Sequence, residues 1–194
     1  TDITWGECPP LSKLPFAVCY GDPSPSNSRS KQSSYKAVFL VGFSEGKYYI
    51  YKGYLEQETN DRYVTWFYDL RDYVGNKCPV YYLTENNALQ DPFWEQVLQP
   101  LNVEIGEGRG GVVPIIADTR AKIDKYARIE ATLEPLNRQG RLILNTDEKS
   151  NPHMQRLEEQ FLMIAPSLPA PADRSDSGSL VGACLYCPSA RPSP

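Results

Sequence analysis

Two carboxylates come just past predicted β-strands. Asp22 follows the short apolar strand 16–20, and Glu85 follows the still more apolar strand 80–83. If these strands are parallel neighbours, both side chains leave the same edge of the sheet, where the ligand sites of α/β sheets lie. A third acid, Asp173 or Asp176, stands at the start of a predicted helix.

Carboxylates in this arrangement suit hard divalent cations. Mg²⁺ prefers oxygen ligands and keeps several waters, so it needs few protein ligands and no histidine. Two such ions roughly 4 Å apart can activate a water on one side of a phosphodiester and stabilise the leaving oxygen on the other. Taken singly, each acid is also explained by a turn or a helix start. The hypothesis therefore depends on their convergence.

Three other chemistries fit the sequence less well. The Gly-Phe-Ser-Glu-Gly stretch 42–46 matches a serine-hydrolase elbow, but a strand follows it, which indicates a hairpin turn. No Lys-Ser/Thr follows the glycine-rich stretch 106–111 to hold a phosphate and Mg²⁺. Cys184 and Cys187 lack a second pair for zinc, and an odd total of five cysteines indicates free thiols.

Composition favours one globular domain. The 194 residues are 41% hydrophobic and 23% charged, which is enough to build a sizeable core. We predict one domain over residues 1–187 and a disordered tail over 188–194. The longest nearly apolar run, 37–43, is too short to span a membrane. The start lacks a Met and a signal peptide, which suggests a piece of a longer, cytosolic polypeptide.

Periodicity predicts a mixed α/β sandwich. Strands are predicted first, then helices and strands in alternation, at 16–20, 37–41, 48–51, 80–83 and 141–144. Predicted helices cover a stretch capped by Asn60 with Tyr63, Phe67, Leu70 and Val74 inward, 91–99, about 119–137, a stretch from Pro152, and 173–186.

Several segments between residues 16 and 182 form a recognisable set of motifs. They are Tyr20-Gly21-Asp22-Pro23-Ser24, 35–38 and 46–51, Leu83-Thr84-Glu85-Asn86-Asn87-Ala88-Leu89-Gln90, Lys125-Tyr126-Ala127-Arg128-Ile129, and 133–136 and 140–143. Together, over roughly residues 16–182, they resemble the nuclease domain of the large terminase subunits of tailed bacteriophages.

The resemblance implies a ribonuclease-H-like fold, a mixed central sheet flanked by helices. It also implies a metal-dependent endonuclease that cuts concatemeric double-stranded viral DNA with two Mg²⁺ or Mn²⁺ ions. Asp22 and Glu85 match the first two catalytic, metal-binding acids. For the third, Asp173 is favoured, with Asp176 as its neighbour or substitute, although Ala172 stands where the family commonly has an Asp.

The same resemblance implies partners. The family's ATPase motor precedes the nuclease in the full-length chain, and this sequence contains no Gly-x4-Gly-Lys-Ser/Thr motif for it. A portal and a small terminase subunit complete the family's assembly in the host cytoplasm, transiently at the prohead, with no membrane involved. The net charge is −4, so DNA contact must be local. Candidate phosphate contacts are Arg109, Arg120, Lys122, Lys125 and Arg128.

Two alternatives remain open on the sequence. Ala172 and the glycine-interrupted last helix suit a catalytically weak module that docks to the portal or the small subunit. Another ribonuclease-H-like nuclease, such as a junction resolvase, is the other alternative, and it predicts a preference for branched DNA.

Overall fold

A computed structural model describes residues 3–24, 26–86, 91–120 and 125–163, with side chains except at 91, 125–130, 162 and 163. Its centre is one seven-stranded sheet in the order β1-β7-β4-β3-β2-β5-β6. The strands are β1 (Thr4–Gly6), β2 (Ala17–Asp22), β3 (Lys36–Ser44), β4 (Lys47–Glu56), β5 (Val80–Glu85), β6 (Ile115–Asp118) and β7 (Leu142–Asn145). Only β3 runs antiparallel to its neighbours.

Helices cover both faces of the sheet. They are α1 (Asn60–Val74), α2 (Asp91–Phe93), α3 (Gln99–Gly108), α4 (Lys125–Arg138) and α5 (Pro152–Met163), and a π-helical turn (Trp94–Leu98) joins α2 to α3. One apolar core packs α1 against the sheet, and a second packs Leu133 of α4 and Leu157 of α5 against the opposite face. None of the helices in the described ranges is long and apolar enough to cross a bilayer.

Several local predictions are confirmed. The β3–β4 hairpin turns at the Ser-Glu-Gly stretch 44–46, so the elbow-like motif is a hairpin. The predicted inward residues of α1 are all buried, and Gly75 follows the helix with φ of 58°. Cys8, Cys19 and Cys78 are free. Cys184 and Cys187, the predicted helix 173–186 and the predicted tail 188–194 lie outside the described residues.

Other local predictions are wrong. The helix cap is Thr59 rather than Asn60, because the Thr59 hydroxyl accepts the Arg62 N–H. Strands β1 and β6 are absent from the sequence prediction, and residues 119 and 120, where the helix that contains α4 was expected to start, are not helical. The helix predicted to end near 99 continues to Gly108. Gly106 lies inside this helix, and it is glycine because a Cβ there would lie 2.6 Å from the Val112 Cα.

The single histidine gives the fold a pH dependence below neutrality. His153 is packed beside Tyr54 and Trp66, and its Nδ1 accepts the Leu55 N–H at 3.1 Å. Burial lowers the pKa of His153 below its ordinary value of 6.5. The unfolded chain therefore takes up a proton near pH 6.5 that the folded chain takes up only at lower pH, so stability falls as the pH drops through this window.

We accordingly expect the free energy of unfolding to fall between pH 7 and pH 5.5, and to fall less in His153→Gln. Urea unfolding of both proteins at the two pH values measures this difference. Equal losses in the parent and the variant would show that His153 does not carry the dependence.

Candidate active site

The two predicted acids meet at one edge of the sheet. Strands β2 and β5 are parallel neighbours, which meets the condition on which the metal-site hypothesis depends, and Gly21 pairs with Thr84. Asp22 and Glu85, each one residue further, therefore lie level at the ends of strands about 4.8 Å apart. The two residues are 6% and 9% exposed, so both acids are buried.

Both acids point toward the face of the sheet that α4 and α5 cover. Side chains alternate along a strand, so Asp22 shares the face of Tyr20, and Glu85 shares the face of Leu83. Tyr20 and Leu83 belong to the core cluster on the α4–α5 side. The two carboxylates therefore lie on the same face of the sheet as this apolar core, just beyond the last core residue of each strand.

A third acid, which the sequence analysis missed, stands in the same row. Asp118 ends β6 and pairs directly with Glu85. The residue is 4% exposed. The signal in the sequence is the apolar run 112–117 followed by an acid, the same pattern that ends at Glu85. Pro114 and the short length of this run, after a glycine-rich stretch, concealed the strand.

The Asp118 carboxylate accepts hydrogen bonds from Tyr20 and from Arg120. The Tyr20 hydroxyl donates to Asp118 Oδ2 at 2.5 Å. Arg120 donates through Nε to Oδ1 at 2.8 Å and through Nη2 to Oδ2 at 2.9 Å. Burial, followed by the bond to Asp118, raises the pKa of Tyr20 well above its ordinary value. Tyr20 therefore stays a neutral donor.

The strand ends that carry Asp22, Glu85 and Asp118, which we call the acidic edge, are also packed on the opposite face of the sheet. The Tyr63 hydroxyl and the Thr84 hydroxyl are hydrogen-bonded at 2.7 Å, which ties α1 to the end of β5. A Cβ at Gly21 would lie 2.2 Å from Tyr63 Oη, so the residue before Asp22 must be glycine. The position of Asp22 is thereby fixed by packing.

A buried lysine lies close to Asp22. Lys36 begins β3 and is fully buried, and its Nζ donates to the Ser24 carbonyl and, at 3.3 Å, to the Ser24 hydroxyl. Burial lowers the pKa of Lys36 to about 8, and the nearby Asp22 charge acts in the opposite direction. The ammonium also ties the chain after Asp22 to β3, because Ser24 lies only two residues beyond the acid.

The predicted phosphate contacts are placed unevenly. Arg120 lies at the acidic edge through its pairing with Asp118. Arg109 instead pairs with Asp69 at 3.1 Å and Asp72 at 2.8 Å. These acids lie six and nine residues beyond Tyr63 on α1, which is roughly 9–14 Å further along the helix. Arg109 therefore lies away from the strand ends of Asp22, Glu85 and Asp118.

The remaining predicted site residues cannot be placed by their side chains. Asp173, Asp176 and Lys122 lie outside the described residues. Lys125 and Arg128 belong to α4, of which only the backbone is described at these positions.

Within the described part of the chain, no group of three or more His, Cys, Asp or Glu side chains is arranged to hold a metal ion. Asp22 and Glu85 nevertheless offer what a hard cation requires: two adjacent, buried carboxylates on rigid strands. A third oxygen ligand would have to come from elsewhere, as the sequence analysis expects from Asp173 or Asp176.

Comparison with solved structures identifies the fold. No protein-family model matches the sequence, and no curated protein matches it either. The Mn-soaked nuclease domain of the human cytomegalovirus terminase matches with a TM-score of 0.61 and 14% identity, over 90% of this chain and 83% of that one. The P22 large terminase nuclease domain matches with a TM-score of 0.53 and 12% identity, over 95% and 84%.

This chain has the fold of a terminase nuclease domain. The predicted fold class, a ribonuclease-H-like mixed sheet flanked by helices, is confirmed. The large terminase of a thermophilic bacteriophage also matches, with a TM-score of 0.51 and 15% identity. There the match covers 95% of this chain but only 43% of that one, so the terminase nuclease fold corresponds to part of a longer protein in that phage.

Proposed function

We propose that this chain is a metal-dependent endonuclease that hydrolyses phosphodiester bonds of double-stranded DNA, as the nuclease part of a viral large terminase. One observation carries the proposal: Asp22 and Glu85 lie level on adjacent parallel strands, buried and on the same face, in a terminase nuclease fold. Two acids far apart in sequence are thus neighbours in the fold, which supports the proposed chemistry.

The residues present fit a hard divalent cation, Mg²⁺ or Mn²⁺. Asp22 and Glu85 would hold it, with Asp173 or Asp176 as the further acid. When bound, a pair of such ions would supply an activated water and stabilisation of the leaving oxygen. Lys36 supports this role because a positive charge near Asp22 favours the ionised carboxylate. Packing of Gly21 against α1 fixes the position from which Asp22 acts.

Duplex binding is assigned to the basic side chains near this edge. We include Arg120, Lys122, Lys125 and Arg128, because they surround the start of α4 in the sequence and Arg120 lies beside Asp118. Phosphate contacts of this kind position the duplex without reading its bases. Arg109 is a weaker candidate, since two acids on α1 already neutralise it.

The wider setting follows from the same proposal. The substrate would be concatemeric viral DNA, an ATPase motor domain would precede this domain in the full-length chain, and a portal and a small terminase subunit would complete the assembly. The protein would work in the host cytoplasm, transiently at the prohead.

A plasmid assay tests the proposal directly. We expect the 194-residue chain to convert supercoiled plasmid to nicked and linear forms with millimolar Mn²⁺ or Mg²⁺, and to leave it intact in a chelator. Calorimetric titration with Mn²⁺ in the absence of DNA should show saturable binding. Equal cleavage in the chelator, or neither cleavage nor Mn²⁺ binding, would contradict the proposal.

The same assay separates the alternatives. Faster cleavage of four-way junctions than of linear duplex would identify a junction resolvase. An absence of Mn²⁺ binding together with tight association with a portal or small subunit would identify a docking module.

A further inference from the structure

The buried carboxylate of Asp118, at the strand end next to Glu85, orients the side chain of Arg120. The side chain of Asp118 is 2% exposed, whereas that of Arg120 is 45% exposed. The Asp118 carboxylate accepts two guanidinium bonds, at 2.8 and 2.9 Å, and the Arg120 backbone N–H donates to Oδ1 at 3.3 Å. The arginine is thus tied at three points to one acid.

Asp118, the anchor of this arginine, is itself held from a second strand. The Tyr20 hydroxyl donates to Asp118 from β2, two strands away across β5. An ionised carboxylate so deeply buried is stable only if it is paired and hydrogen-bonded, and here both conditions are met. A long side chain normally loses rotamer entropy when it is ordered on binding a ligand. Arg120 is already ordered by its bonds to Asp118, so less of this entropy remains to be lost.

The position of this arginine matters because of the residue next to it. Asp118 pairs with Glu85 across neighbouring strands about 4.8 Å apart. Glu85 is one of the two acids proposed to hold the cation. A guanidinium anchored on the adjacent strand end, nearly half exposed, therefore lies beside the place where a phosphodiester would be cut.

We infer that Arg120 contacts the scissile phosphate, and that Asp118 and Tyr20 are positioning residues that aim its guanidinium. This inference rests on the proposed nuclease function. A planar guanidinium binds phosphate oxygens through paired N–H groups. Negative charge on those oxygens grows as the bond is broken, so the contact acts mainly on kcat.

A simpler role would be charge compensation, in which Arg120 only neutralises buried Asp118. A double-variant experiment separates the two roles. Arg120→Met alone removes the guanidinium that neutralises buried Asp118 and destabilises the protein in either case. Adding Asp118→Asn removes that buried charge, and urea unfolding should show that the double variant regains most of the lost stability.

The two roles predict different rates of DNA cleavage by the double variant. If Arg120 contacts phosphate, kcat stays roughly 100-fold below the parent in Arg120→Met and in the double variant, with KM little changed. Duplex binding in a chelator, followed by fluorescence anisotropy, should also show a shallower salt dependence, by about 0.9 in the slope of log K against log salt. Mn²⁺ affinity should not fall in either variant.

Arg138→Met is the matched control, because Arg138 lies at the far end of α4 in an exposed pair with Glu134. It should leave kcat unchanged. The inference is overturned if the double variant cleaves as fast as the parent and keeps the parent's salt slope, or if Asp118→Asn alone abolishes Mn²⁺ binding. A parent that neither cleaves DNA nor binds Mn²⁺ would instead contradict the proposed function, whereas the salt slope still reports on Arg120.

Discussion

Asp22→Asn is expected to lower the rate of plasmid cleavage by roughly 10³-fold while the protein stays folded. Asparagine has the size of aspartate but no charge, so it cannot attract a divalent cation as a carboxylate does. Asp22 is buried in a row with Glu85, and the loss of one negative charge there relieves repulsion between neighbours. Glu85→Gln should have the same effect for the same reason.

Cleavage by purified variants, with urea unfolding on the same samples, measures both parts of this prediction. Glu45→Gln is the matched control, since Glu45 lies in the β3–β4 turn at the opposite edge of the sheet. It should cleave at the parent's rate. If Asp22→Asn and the parent nick plasmid equally with metal present, the cleavage comes from another residue or from a contaminant.

Gly21→Ala is expected to lower the free energy of unfolding by about 3 kcal/mol, at the upper end of the usual range for overpacking. The added Cβ would lie 2.2 Å from Tyr63 Oη and 2.8 Å from Phe67 Cζ. Neither ring can retreat easily, because both are buried and Tyr63 is hydrogen-bonded to Thr84. For a chain of this length, the melting temperature should fall by roughly 6–12 °C.

Calorimetric unfolding measures the change, and two further variants show its cause. Gly108→Ala is the control, because no atom lies within 4 Å of a Cβ there, and it should be neutral or slightly stabilising. Tyr63→Phe combined with Gly21→Ala removes the nearest clashing atom, so the pair should be less destabilising than the sum of the single changes. A Gly21→Ala protein as stable as the parent would show that α1 moves aside freely.

Local patterns located the ends of the two strands that carry Asp22 and Glu85. The runs 16–20 and 80–83 are apolar and bounded by turn residues, so the strand ends at Asp22 and Glu85 could be located from sequence. That β2 and β5 are parallel neighbours is a property of the whole sheet. The sequence offered it only as a condition, and the observed strand order satisfies it.

Asp118 and the long helix after it could not be placed in this way. Strand β6 has four residues, lies at an edge of the sheet and leaves Ile116 56% exposed, so its apolar pattern is weak. The predicted helix therefore took in residues 119 and 120, which follow the end of β6 and are not helical. Gly106 has the opposite effect on the prediction: it suggests a loop, but it lies inside α3, where the close approach of Val112 requires a residue without a Cβ.

The order of the strands gives the three acids of the edge unequal freedom of motion. Asp22 ends β2, whose six residues are all buried and hydrogen-bonded to strands on both sides. Asp118 ends β6, which among the described strands pairs with β5 alone. Strands at the side of a sheet open locally more readily than central strands. The hydrogen bond from Tyr20 to Asp118 therefore has a structural role of its own, because it ties the end of β6, and with it Arg120, to the central strand β2.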